Sequence, residues 1–138
     1  MKQKVLFLCS NNSARSQIAE GLLRTFNTDK YEVYSAGIKK TNVNSYAIEV
    51  MREIGIDISK QYSKTITEFK DIQFDYVITL CDNAQKTCPF FPGKKVLHKS
   101  FEDPTIVNGD IEEILEVFRK VRDEIKKWII TTFNVKNE

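Results

Sequence analysis

Residues 5–16 constrain the fold of this 138-residue chain more than any other segment. Four apolar residues, 5–8, predict a buried strand, and Cys9 follows where that strand should end. A short polar loop comes next, and helical spacing then runs over residues 16–26. A strand, a loop and a helix in this order predict an α/β fold with Cys9 at the carboxyl end of a strand, where open α/β sheets bind ligands.

The loop after Cys9 has the composition of an oxyanion-binding loop. Loop amides and a helix N-terminus supply hydrogen-bond donors and positive potential to a tetrahedral anion, and that potential also favours the nucleophilic thiolate of Cys9. Arg15 can hold two anion oxygens in a bidentate fork. The alternative is a buried cysteine that only packs at a strand end, but the strand-loop-helix context favours the functional interpretation. The predicted loop comprises Ser10, Asn11, Asn12, Ser13, Ala14, Arg15 and Ser16.

The composition is that of an ordinary globular chain, with 41% hydrophobic and 29% charged residues. We expect a single domain over residues 1–138. The net charge of +2 gives no support for nucleic-acid binding, and no apolar run approaches the ~20 residues of a membrane span. No signal peptide is visible, so we expect a cytoplasmic protein, most simply a monomer. Three cysteines in a reducing compartment are then reactive or merely buried rather than a disulfide framework.

Strand and helix patterns alternate along the chain. Strands are predicted at residues 5–8, 32–35, 76–80 and 95–98, and helices at residues 16–26, 44–54 and 65–70 and from 111 to 128. Gly55 is the expected stop of the second helix. This order predicts a single-domain open parallel sheet of about four strands with helices on both faces, a small doubly wound α/β fold.

Further reactive side chains follow the later strands. Cys81 comes directly after the third strand, on the same sheet edge as Cys9, and Cys88 lies in a polar stretch seven residues later. Spacing alone leaves open whether Cys81 only packs and Cys88 is a surface thiol, and it matches no usual zinc pattern. Asp103 follows the fourth strand and is either a turn aspartate or a general acid. We interpret His98 as structural or surface-exposed.

These pieces together resemble a known superfamily. Cys9-x5-Arg15-Ser16, Tyr34-Ser35-Ala36-Gly37 and Asp103-Pro104 are similar to the low-molecular-weight protein tyrosine phosphatases, whose fold is flavodoxin-like. Thr79-Leu80-Cys81, Cys88-Pro89 and residues 121–126 resemble its thioredoxin-coupled arsenate reductases. The likeness covers essentially the whole chain.

The resemblance implies a three-cysteine relay. Cys9 would attack arsenate held by the loop and Arg15, and Asp103 would protonate the departing oxygen. Cys81 would then attack Cys9 and release arsenite, and Cys88 would take over the disulfide with Cys81. Thioredoxin, or a similar dithiol protein, would reduce that disulfide, no cofactor would be bound, and phosphate or sulfate would mimic the substrate. Asn12 and Ser16 would shape the loop.

The chain departs from the family at three positions. Ala14 replaces a second loop cysteine of many relatives, so a resolving thiol must come from elsewhere, and Asn11 replaces a common glycine. Some arsenate reductases hold potassium through an asparagine, a glutamate, a serine and an aspartate. Asn12, Glu20 and Ser35 match the first three, but Lys64 stands in the place of the aspartate. We predict no bound potassium or other metal, with Lys64 paired to Glu20; the alternative is a solvated surface lysine.

Two other functions stay open. One is a phosphatase acting on phosphotyrosine or a small phosphoester, and weak phosphatase activity is expected in either case. Against a dedicated phosphatase, Thr105 and Ile106 stand where such enzymes often carry aromatic residues. The other is a non-enzymatic phosphocarrier or redox-sensing module, for which Asp103 and two further thiols would have little use.

Overall fold

The computed structural model describes residues 2–26, 29–81 and 91–135. Within them a four-stranded sheet has the order β2-β1-β3-β4, and every neighbouring pair is parallel. The predicted α/β fold is therefore confirmed. In chain order the elements are β1 (Gln3–Leu8), α1 (Arg15–Phe26), β2 (Tyr31–Ala36), α2 (Ser45–Arg52), a 3-10 helix (Ile66–Phe69), β3 (Tyr76–Thr79), β4 (Lys95–His98), a second 3-10 helix (Pro104–Ile106) and α3 (Ile111–Thr132).

Alternation along the strands divides the core between the two faces of the sheet. Val5 and Phe7 of β1 point to the side covered by α1, α2 and α3, and their apolar stripes complete the larger cluster. Leu6 and Leu8 point to the other side, where Phe74 and the 3-10 helix Ile66–Phe69 cover them. The sheet is thus covered on both faces, as predicted, although among the described elements the three α-helices share one face and the other face carries only the 3-10 helix.

The helix ends follow from local chemistry. Asn44 caps α2, because its side chain accepts hydrogen bonds from the backbone amides of Tyr46 and Ala47. Gly55, with φ of +81°, lies in the turn beyond α2, where a left-handed residue ends a helix at low cost. At α3, Asp110 and Glu113 form a capping box. The second helix is therefore shorter than predicted, while the last continues beyond Trp128 to Thr132.

The register brings three strand ends to one edge of the sheet. Leu8 of β1 lies beside Thr79 of β3, and Thr79 lies beside His98 of β4. The residues that follow these strands therefore share one rim, as expected for Cys9, Cys81 and the segment leading to Asp103. In the part of the chain that the structure describes, no helix combines the length and apolarity needed to cross a membrane.

Candidate active site

The backbone of the loop after Cys9 is held from outside. Each carbonyl from residue 10 to residue 13 accepts a hydrogen bond from a neighbouring element. The donors are Ile38 N to Ser10 O (2.9 Å), Thr41 Oγ1 to Asn11 O (2.8 Å), Gln17 Nε2 to Asn12 O (3.0 Å) and Asn44 N to Ser13 O (2.9 Å). Because a trans peptide points its N–H opposite to its C=O, the following amides are directed away from these donors, toward the inner side of the loop. This is the arrangement that binds an oxyanion.

Cys9 is buried at the floor of this loop, 3% exposed, with Sγ 2.8 Å from Ser16 Oγ. The Asn12 amide donates to Ser16 Oγ (2.8 Å) and to Ser35 Oγ (3.0 Å). Since Ser16 already accepts from Asn12, its single hydroxyl hydrogen is free to donate to the Cys9 sulfur. A hydroxyl donor at this distance stabilises the thiolate.

Arg15 is buried and spans the strand ends. Its Nη1 donates to Phe101 O (3.1 Å) and Leu80 O (3.4 Å), and its Nη2 lies 3.5 Å from Asp103 Oδ2. A small cavity is lined by this ion pair together with the loop; its lining residues are Cys9, Asn11, Ser13, Ala14, Arg15, Asp103 and Thr105. The cysteine, the guanidinium and the candidate acid therefore face the same space.

Asp103 is a turn aspartate that also lies at the cavity. It caps the 3-10 helix Pro104–Ile106, since its Oδ1 accepts from the Thr105 amide (3.0 Å) and hydroxyl (2.7 Å). These bonds fix the carboxyl group so that Oδ2 faces Arg15. The turn thus places an acid at the cavity, and its catalytic role stays a prediction.

Cys81 is fully buried at the end of β3, and its Sγ lies 3.9 Å from Ser10 Oγ. Cys9 and Cys81 are both buried and follow adjacent strands, so they share the rim as predicted. Cys88 lies outside the described residues. His98, at the end of β4, contacts Thr79, with 2.6 Å between Nδ1 and Oγ1, in keeping with a structural role.

Lys64 is buried beside the loop, so the alternative of a solvated surface lysine is wrong. Its ammonium lies 3.8 Å from Glu20 Oε1 and donates to Tyr62 O at 2.5 Å. Burial lowers the pKa of Lys64 from its usual 10.5, and Glu20 partly opposes this effect. Glu20 also pairs with Arg24 and accepts from Ser35. The predicted pairing of Lys64 with Glu20 is confirmed. Among the described residues no group of three or more His, Cys, Asp or Glu side chains could hold a metal ion.

Sequence reasoning missed several residues that support the loop. Gln17 and Ser63 are buried and bind loop carbonyls, while Thr41 and Thr105 hold Asn11 and Asp103. Gly37 lies so close to the loop backbone that a side chain there would collide with it. Only Gly37 had a signal, since it ends the quoted segment Tyr34-Ser35-Ala36-Gly37. The others are polar residues without a distinctive local pattern, and Thr41 and Ser63 act through contacts distant in sequence.

Comparison with known proteins agrees with this geometry. The family model described as low molecular weight phosphotyrosine protein phosphatase matches residues 4–137. An arsenate reductase of Halalkalibacterium halodurans is 47% identical over 131 residues, which cover 94% of each chain, and one of Bacillus subtilis is 43% identical over 127 residues, which cover 91% of each chain.

Solved structures give the same relationship. An arsenate reductase in the phosphate binding state superposes with a TM-score of 0.81 at 36% identity, covering 96% of this chain and 97% of the other. The thioredoxin-dependent arsenate reductase Cg_ArsC1' of Corynebacterium glutamicum is 31% identical with a TM-score of 0.62, covering 95% of this chain and 63% of that one. The chain belongs to the low-molecular-weight phosphotyrosine protein phosphatase family, and these arsenate reductases are among its relatives there.

Proposed function

We propose that this protein is an arsenate reductase that works through Cys9, Cys81 and Cys88, with a dithiol protein such as thioredoxin as its reductant. The observation that carries the proposal is the presence of two buried cysteines, Cys9 and Cys81, after adjacent parallel strands at the loop that would bind the oxyanion. A hydrolytic enzyme needs only the first of them. The similarity to arsenate reductases and to a thioredoxin-dependent relative supports the same reaction and the same donor.

The first step is nucleophilic attack on arsenic. Loop amides and the Arg15 guanidinium hold the arsenate oxygens, and the Cys9 thiolate forms a bond to arsenic. Asp103 gives a proton to the departing oxygen, which leaves as water or hydroxide. Arsenic is still pentavalent in this adduct, so no electrons have yet been transferred to it.

The second step is the reduction. The Cys81 thiolate attacks the Cys9 sulfur, a disulfide forms, and the electron pair of the sulfur–arsenic bond stays on arsenic, which leaves as arsenite. Cys88 then attacks Cys81, which frees Cys9 as a thiolate and gives a Cys81–Cys88 disulfide. The external dithiol reduces that disulfide and is itself oxidised, which closes the cycle.

The test measures arsenite formed with thioredoxin, thioredoxin reductase and NADPH. Wild type should turn over repeatedly, while Cys81→Ser and Cys88→Ser should lose multiple turnover. The Cys81→Ser and Cys88→Ser variants should keep aryl phosphate hydrolysis, because that reaction needs only Cys9, the loop with Arg15, and Asp103. Cys9→Ser should abolish both reactions.

Two results would contradict the proposal. Wild type that forms no arsenite yet hydrolyses the aryl phosphate rapidly would be a phosphatase. A Cys81→Ser variant that still reduces arsenate over many turnovers would remove Cys81 from the relay. Replacing thioredoxin by a glutathione and glutaredoxin couple tests the donor separately from the chemistry.

A second candidate function is hydrolysis of small polar phosphoesters. A groove of about 500 Å3 adjoins the small cavity and shares Asn11, Ser13 and Thr105 with it. Its remaining lining, residues 41–45, is polar apart from Val43 and contains no aromatic ring for stacking. If hydrolysis is the main activity, glycerol phosphate should be a better substrate than an aryl phosphate; the opposite order would exclude this candidate.

A further inference from the structure

Gln17 is a fully buried amide in the first turn of α1 that the proposed chemistry does not use. A buried amide is costly unless its hydrogen-bonding groups are satisfied. Its Nε2 lies 2.9 Å from Asn12 Oδ1, 3.0 Å from Asn12 O and 3.1 Å from Tyr62 O. Its Oε1 accepts from Gln61 Nε2 at 2.8 Å. Two of the three oxygens around Gln17 Nε2 therefore belong to Asn12. The third, Tyr62 O, lies two positions before Lys64, whose amide also binds Asn12.

Asn12 is the residue of the loop that most needs such support. It has a φ of +48°, in the left-handed region that residues with a side chain rarely adopt. Gln17 binds both its backbone carbonyl and its side-chain oxygen, so one side chain fixes the peptide and the amide group together. Lys64 N donates to the same side-chain oxygen at 2.8 Å.

The orientation of the Asn12 side-chain amide determines whether Ser16 can donate a hydrogen bond to the Cys9 sulfur. With Oδ1 held by Gln17 and by the Lys64 amide, Nδ2 must face Ser16 and Ser35. Ser16 then accepts from Asn12 and keeps its own hydrogen for the Cys9 sulfur, 2.8 Å away. When Cys9 is a thiolate it has no hydrogen to give, so Ser16 is the donor in this last hydrogen bond.

We propose that Gln17 is a positioning residue for the oxyanion site: through Asn12 it orients the loop peptide and keeps Ser16 as the hydrogen-bond donor to the Cys9 thiolate. Gln17 itself is not among the residues that line the small cavity. The inference rests on the proposed function only in that the loop after Cys9 is the oxyanion site.

The experiment compares Gln17→Met with Gln61→Met in the full chain carrying Cys81→Ser and Cys88→Ser, so that Cys9 is the remaining thiol. Methionine preserves length and removes the amide. Gln61→Met is the matched control, because it removes a partner of Gln17 but leaves the bonds to Asn12. The readouts are the pH profile of Cys9 alkylation by iodoacetamide and the protection that inorganic phosphate gives against it.

For Gln17→Met we expect the alkylation profile to move to higher pH and the phosphate concentration for half protection to rise about fivefold, the value of roughly one hydrogen bond. Gln61→Met should change neither. Because the effect on the thiolate passes through Ser16, Gln17→Met should not move the pH profile further in a Ser16→Ala background.

Other outcomes would overturn the assignment. A Gln17→Met variant that only lowers the melting temperature, with an unchanged pH profile and unchanged phosphate protection, would make Gln17 a packing residue. A full shift of the profile in the Ser16→Ala background would exclude the path through Asn12 and Ser16. Failure of phosphate to protect the parent protein would count against the oxyanion site itself, and thus against the proposed function rather than against Gln17 alone.

Discussion

Gly37 lies directly behind the proposed oxyanion loop, and its substitution tests how closely the site depends on backbone position. A Cβ added there would lie 2.8 Å from Asn12 N, Cys9 O and Ser10 O, which are all backbone atoms. Ordinary van der Waals contact begins at 3.4 Å, so the loop must move by about 0.6 Å. A displacement of about 1 Å in a catalytic site can cost about a hundredfold in rate. We therefore expect Gly37→Ala to weaken phosphate binding and to slow the reaction about tenfold.

The matched control is Gly55→Ala. Gly55 has a φ of +81° and nothing within 4 Å of an added Cβ, so alanine is strained there but contacts nothing. We expect Gly55→Ala to lower the free energy of unfolding by about 1 kcal/mol and to leave the site unchanged. Gly37→Ala should lower it by about 1–3 kcal/mol, as overpacking does. Urea unfolding gives both values, and phosphate protection of Cys9 against iodoacetamide reports on the site.

Two results would refute this reasoning. If phosphate protects Cys9 of Gly37→Ala at the same concentration that suffices for wild type, the loop tolerates the displacement. Its backbone geometry then does not control phosphate binding. If Gly55→Ala impairs phosphate protection as much as Gly37→Ala does, the loss reflects general destabilisation rather than contact with the loop.

Three further predictions concern the neighbours of the loop. Thr105→Val removes the 2.7 Å hydroxyl donor to Asp103 Oδ1 and should lower kcat about fivefold without changing phosphate protection, so a wild-type kcat would remove Thr105 from the positioning of the acid. Burial lowers the pKa of Lys64 in the folded protein below 10.5, so in the pH range between the Lys64 pKa values of the folded and unfolded chains the unfolded chain binds more protons, and the free energy of unfolding rises with pH. Urea unfolding of Lys64→Met across this pH range should show a flatter rise than wild type. An unchanged slope would contradict the assignment. Because the Lys64 ammonium lies beside Glu20, the melting temperature should be the same in potassium and sodium chloride, and a clear preference for potassium would contradict the prediction that none is bound.

Local patterns were sufficient for most of the fold. Residues 5–8 are apolar on every position, as in a strand buried on both faces, and β1 is such a strand. Asn44 and Gly55 bracket α2 with a cap and a left-handed turn residue, and both signals depend on the chain within a few positions. The predicted helix was too long because periodicity continues to Ile54, although the last regular turn ends at Arg52.

The sequence by itself determined the strand, loop and helix around Cys9 and Arg15, and the strand ends that carry Cys81 and Asp103, because each follows from a local run of residues. The tertiary structure decided what surrounds them. Gln17, Thr41 and Ser63 reach the loop from separate elements, and Lys64 is buried against Glu20 although 44 positions separate them. Whether a polar side chain is solvated or holds a loop carbonyl depends on which element packs beside it, and local sequence does not encode that contact.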